Sequence, residues 1–106
     1  MNGSQLTIYA SQNHRVGHTA VVEWLLDQIK QCGITGATVV EASEGIDTHG
    51  KYHAARFVEL ADQPVAVTAV AEDDHIDALL ARLREAEVRL FYTRFSIEYG
   101  VFGEES

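Results

Sequence analysis

The chain has 106 residues, 46% of them hydrophobic and 23% charged, with a formal net charge of −8. That length and composition suit a single globular domain over residues 1–106, able to bury roughly 60–70% of its unfolded surface. The acidic balance argues against a nucleic-acid partner, which would need a basic footprint, and the apolar runs are too short for a membrane span.

Residues 1–10 lack the basic head and apolar centre of a signal peptide. Cys32 is the only cysteine, so neither an internal disulfide nor a thiolate zinc cluster can form. The expected location is the cytoplasm.

In chain order, residues 5–10 alternate polar and apolar side chains, which predicts a half-buried strand. Residues 11–17 are polar and turn-rich. From about Thr19 the spacing changes, and Val22, Leu25, Leu26 and Ile29 predict one apolar face of a helix. Gly33 is placed to cap its C-terminus, with Lys30 opposing the helix dipole. Residues 37–42 are rich in β-branched side chains and predict a second strand. A polar, glycine-bearing loop follows at about 43–56. It holds His49 and His53, two of the five histidines, and Lys51, one of two lysines. Residues 55–60 and 64–71 read as extended on either side of a bend ending in Pro64. Glu72, Asp73 and Asp74 supply an N-cap and negative charge for a second helix. On it Ile76, Leu79, Leu80 and Leu83 repeat the helical spacing. The last strand puts Phe91, Thr93, Phe95, Ile97 and Tyr99 on one side, with Tyr92, Arg94, Ser96 and Glu98 on the other.

The order is βαββαβ, the ferredoxin-like α+β arrangement of a four-stranded antiparallel sheet with two helices on one face. Two helices leave the other face bare. The second and third strands read as apolar on both faces, as Val39 beside Val40 and residues 65–71 show. A water-facing sheet would alternate more strictly, so a second subunit is expected on the bare face.

Three segments together resemble the P-II-like signalling proteins, and more narrowly their small uncharacterised bacterial branch. They are Gly33-x-x-Gly36-Ala37-Thr38-Val39-x-Glu41, then Glu44-Gly45-Ile46-x-x-His49-Gly50-x-x-His53, then residues 71–78 at the opening of the second helix. The resemblance covers residues 5 to about 100. It implies a homotrimer with ligand clefts between subunits and a mobile T-loop that contacts a partner, a transporter or an enzyme. By position it implies nucleotide contacts at Gly36, Ala37, Thr38, Gly45, Thr68 and Val70, with Arg89 in the place of a phosphate-binding lysine. His49, Gly50, Lys51, Tyr52, His53 and Arg56 fall in the partner loop.

The chain also departs from that pattern. The glycine-rich phosphate loop has shrunk to residues 84–89, the basic pair after the last strand is missing around Gly100 to Phe102, and Pro64 stands where a lysine is expected. A triphosphate needs oriented N–H groups and several cations. The departures therefore favour ADP, AMP or a cyclic nucleotide over ATP. Bicarbonate is a further candidate ligand, because some P-II-like proteins are tied to inorganic-carbon handling.

Other features read as ordinary structure or weaker chemistry. His49 and His53 lie four apart, but Gly50 and the loop context oppose a helix, and two imidazoles need Glu44, Asp47 or another subunit to complete a metal site. A CutA-like divalent-metal trimer using those histidines is the alternative reading. Cys32 reads as a packed small hydrophobe. Glu41 and Glu44 lack catalytic companions. Arg15 and His18, beside Gly17, read as a polar turn before a helix, with a small anion the sharper option. Trp24 reads as packing or a subunit contact. No constellation here is catalytic, so a regulatory protein rather than an enzyme is expected.

Overall fold

The structure, a computed structural model, describes residues 1–41 and 64–103. Its elements are β1 (Asn2–Ser11), β2 (Arg15–Val16), β3 (Thr19–Ala20), α1 (Val21–Gln31), β4 (Ala37–Glu41), β5 (Pro64–Ala71), α2 (Asp73–Glu85) and β6 (Phe91–Glu98). The main sheet has the order β4-β5-β1-β6 and is antiparallel throughout. Both helices pack on one face, giving the expected ferredoxin-like α+β architecture. The predicted extended run at 55–60 and the loop at 43–56 lie outside the described residues.

Alternation along the strands builds the core. Leu6, Ile8 and Ala10 of β1 and Val65, Val67, Ala69 and Ala71 of β5 point to the helices and are buried. Against them α2 lays Ile76, Leu79, Leu80 and Leu83, the four positions its spacing predicts. The face of α1 is rotated from its prediction. Val21, Leu25 and Ile29 are buried, Val22 is only partly covered, and Leu26 is exposed. The polar turn at 11–17 leads into a short β2–β3 ribbon, Arg15 facing Ala20 and Val16 facing Thr19, which delays the helix to Val21.

The end of α1 is a Schellman turn. Gly33 takes φ 82°, its N–H donates to the Lys30 carbonyl, and the Ile34 N–H donates to the Ile29 carbonyl at 3.3 Å. A left-handed residue here strongly favours glycine. Ile29 and Ile34, the apolar pair across the turn, are both in the core. The chain then leaves through Thr35 and Gly36 into β4.

The start of α2 differs from its prediction in one respect. Glu72 occupies the N-cap position but makes no side-chain capping bond. The Asp73 carboxylate one residue on instead accepts a 2.5 Å hydrogen bond from the Ser4 hydroxyl. Ser4 is 2% exposed, so this bond satisfies a buried polar group at the end of β1. Arg94 on β6 completes the cluster, donating from Nε to Ser4 Oγ at 3.0 Å and from Nη1 to Asp77 at 2.7 Å. The Asp77 hydrogen bond is the main reason the Arg94 guanidinium titrates above its usual range.

Candidate functional site

The uncovered face of the sheet has a definite pattern, fixed by the strand register. Its central row is four threonines, Thr38, Thr68, Thr7 and Thr93, one from each strand. Thr7 and Thr68 share a hydrogen bond of 2.9 Å between their hydroxyls. The row beside it runs Val40, Ala66, Tyr9, Phe91, with the last two rings 5.6 Å apart. On the other side Val70, Gln5 and Phe95 line up. Large apolar side chains stand exposed at both margins: Val40 on β4, and Phe91 and Phe95 on β6. The second and third main strands, expected to be apolar on both faces, carry Thr38, Val40, Ala66, Thr68 and Val70 here, apolar except for the two threonines. The central row bears hydroxyls, and large side chains stand on the edge strands and, at Tyr9, on the central strand β1.

The residues assigned to a nucleotide fall into two groups. Gly36, Ala37 and Thr38 lie at the start of the edge strand β4, all exposed, and Thr68 faces Thr38 across the β4–β5 ladder. Val70 is two residues along β5 on the same open face. Gly36 has no positive φ, and a Cβ built on it would meet nothing within 4 Å. Neither backbone conformation nor packing among the described residues therefore calls for glycine at that position. Gly36 and Ala37 also line a cleft with Leu26, Ile29, Lys30 and Ile34, formed where α1 ends.

Arg89 lies elsewhere. It follows the end of α2 and precedes β6, the opposite edge of the sheet, and it is exposed with no partner among the described residues. Three strand spacings separate β4 from β6, about 14 Å. Arg89 is also at the other end of the strands, since Phe91 lines up with Tyr9 and Val40 while Ala37 lines up with Leu6. One chain does not bring Arg89 to Gly36. Gly45, His49, Gly50, Lys51, Tyr52, His53 and Arg56 lie outside the described residues. Among the described residues no group of three or more His, Cys, Asp and Glu side chains is arranged to hold a metal ion.

Two features escaped the sequence reading. The threonine row needs the pairing of all four strands, which alternation within one strand does not supply. A small apolar pocket between α2 and β6 is lined by Ile8, Leu80, Leu83, Arg84, Val88, Leu90 and Tyr92.

The fold is that of PII-like signalling proteins. A PII-like signalling protein (TTHA0516) from Thermus thermophilus superposes with a TM-score of 0.61 at 16% identity, covering 92% of this chain and 87% of that one. CPII, a nitrogen regulatory PII-like protein from Thiomonas intermedia K12 bound to ADP, AMP and bicarbonate, gives 0.57 at 16% identity, covering 95% and 98%. A second structure of CPII, bound to ADP and bicarbonate, gives 0.55 at 18% identity, covering 92% and 89%. The family is fixed separately by sequence. Residues 3–96 match the DUF190 family model, described as "Uncharacterized ACR, COG1993", and the chain belongs to that family. A search of curated proteins found no match. No helix among the described residues is long and apolar enough to cross a membrane.

Proposed function

We propose that this is a regulatory, non-catalytic protein of the cytoplasm. It assembles as a homotrimer, binds an adenine mono- or diphosphate in clefts between copies, with bicarbonate as a candidate co-ligand, and signals to a transporter or enzyme through residues 43–56. The observation that carries this reading is the separation of the two groups of site residues. Gly36, Ala37, Thr38 and Thr68 are at one edge of the sheet, and Arg89 lies beyond the other. A ligand touching both must lie between two copies. Gly36 adds support, because among the described residues nothing requires its missing Cβ, which leaves room for a group approaching from outside. The unpaired Arg89 guanidinium suits bidentate pairing with a phosphate. The fold's resemblance to CPII, whose structures hold ADP, AMP and bicarbonate, supports the ligand class.

Calorimetry with ATP, ADP, AMP and cyclic AMP, each with and without bicarbonate, tests the reading. ADP or AMP is expected to bind best, and Arg89→Ala should weaken binding by about 1.5–3 kcal/mol, the range for a hydrogen bond to a charged group. If none binds below millimolar, or Arg89→Ala binds like the parent chain, the assigned site is wrong.

A further inference from the structure

The cleft at the end of α1 has a volume of about 420 Å³, within the size range of small-molecule sites. Leu26 and Ile34 give it an apolar wall, and Thr35, Gly36 and Ala37 carry it toward β4. Among the described residues no carboxylate lines it, and Lys30 is its one charged side chain. In a chain of net charge −8, that is a local reversal of sign.

The donors around this cleft are unengaged. Arg15, Arg82 and Arg94 each donate to a neighbouring oxygen, whereas the Lys30 ammonium has no hydrogen-bond or ion-pair partner among the described residues. Lys30 sits in the last turn of α1, where its charge opposes the helix dipole. The carbonyls of Ile29 and Lys30 are nevertheless already satisfied by the N–H groups of Ile34 and Gly33. The N–H groups of Thr35 and Gly36, on the same cleft, make no backbone hydrogen bond among the described residues. A free cation and two free N–H groups beside an apolar wall suit a phosphate carried on a less polar body.

The strand next to the cleft offers a way past its edge. Ala37 faces Ala69 on the covered side of the sheet, while Thr38 faces Thr68 on the open side, because successive residues of a strand point to opposite faces. Gly36 precedes both, and a Cβ there would meet nothing within 4 Å. A nucleotide lying against Gly36 can therefore pass round the edge of β4, its phosphate in the cleft and its sugar or base toward the threonine hydroxyls.

We infer that Lys30 holds the phosphate of the adenine nucleotide, so that the phosphate is gripped by Lys30 of one copy and Arg89 of another. The inference rests on the intersubunit reading of the ligand site, and it adds a cation and a direction that the reading does not contain.

Calorimetry with ADP and AMP tests it on the full chain and on Lys30→Ala, Lys30→Arg and Arg89→Ala. Lys30→Ala is expected to weaken both nucleotides at least about ten-fold, the effect of losing a hydrogen bond to a charged group, and Lys30→Arg to keep most of the affinity. Reductive 13C-methylation gives an NMR signal to each of the two lysines, and the signal missing from Lys30→Arg belongs to Lys30. Its titration midpoint should rise when ADP saturates the protein, because a neighbouring phosphate favours the charged ammonium. A role confined to opposing the α1 dipole leaves that midpoint unmoved. If Arg89→Ala loses binding but Lys30→Ala binds ADP like the parent chain, or the Lys30 midpoint does not rise, this inference falls and the intersubunit reading stands. If the parent chain binds no nucleotide below millimolar, or Arg89→Ala binds like the parent chain, both fall.

Discussion

The two faces of the sheet solve different problems with the same four strands. Under the helices, Leu6, Ile8, Val65 and Val67 sit at or below 2% exposure and meet Leu25, Ile76 and Leu79, which are fully buried. Among the described residues Ser4 is the one buried polar side chain on that face, and its hydroxyl is tied into the Asp73–Arg94 cluster. The open face reverses this distribution. Hydroxyls run across its middle, and Val40, Phe91 and Phe95 stand exposed on its two margins. The first face gains stability by excluding water from large side chains. The second carries a row of hydroxyls across all four strands, with exposed apolar side chains on its edge strands and Tyr9 between them on β1.

The comparison can be broken most forcefully on the covered face. Leu79→Ala removes a fully buried side chain between α2 and the sheet. It should cost about 2–5 kcal/mol, the span for such truncations in packed cores, read as a fall in the denaturant midpoint with unchanged slope. A loss below 1 kcal/mol, roughly a surface-like effect, would mean that this face is not the folding core. The open face should respond differently. Phe95 is 60% exposed, so Phe95→Ser should change the fold's own stability by no more than about 0.5 kcal/mol. If copies associate through this face, the same change removes about 1.5–3 kcal/mol of burial per copy. Sedimentation equilibrium should then show the parent chain as a trimer and the variant shifted toward the 11.7 kDa monomer. A parent chain that is itself monomeric at micromolar concentration would sink the assembly reading.

The covered face was largely legible in the sequence because its signal is local. Ile76, Leu79, Leu80 and Leu83 repeat at helical spacing, and the stop at Gly33 is set by one left-handed residue, so neither needs knowledge of distant contacts. The four-stranded antiparallel sheet was reached through the βαββαβ pattern, and the fold bears it out, with strands in the order β4-β5-β1-β6. What the sequence hid depends on residues far apart in the chain. Local spacing placed the face of α1 on Val22, Leu25, Leu26 and Ile29; the fold buries Leu25 and Ile29 with Val21 and leaves Leu26 exposed. The threonine row joins positions 7, 38, 68 and 93, and no single strand reveals it. Position-by-position resemblance assigned Gly36 to one chain and Arg89 to another across a cleft between copies, and the fold holds the two at opposite edges of the sheet.

The smallest expected effect gives the finest reading of the open face. Thr7 and Thr68 are joined hydroxyl to hydroxyl at 2.9 Å, and Thr7→Val removes that bond with almost no change of shape. While the face is wet, water can replace the lost partner of Thr68, and the net cost should stay near about 0.5–1.5 kcal/mol. If a second copy covers the face, the Thr68 hydroxyl is left unsatisfied in a dry interface, which costs about 1–3 kcal/mol. Replacing both threonines by valine removes both polar groups together, so the double variant should lose less than Thr7→Val alone under assembling conditions. The measurement is denaturant unfolding of the parent, both single variants and the double variant, at protein concentrations below and above the association midpoint. The single-variant penalty is expected to grow on association and to be relieved in the double variant. A penalty that is the same at both concentrations would show that the threonine row stays hydrated, and association would then have to use a different surface.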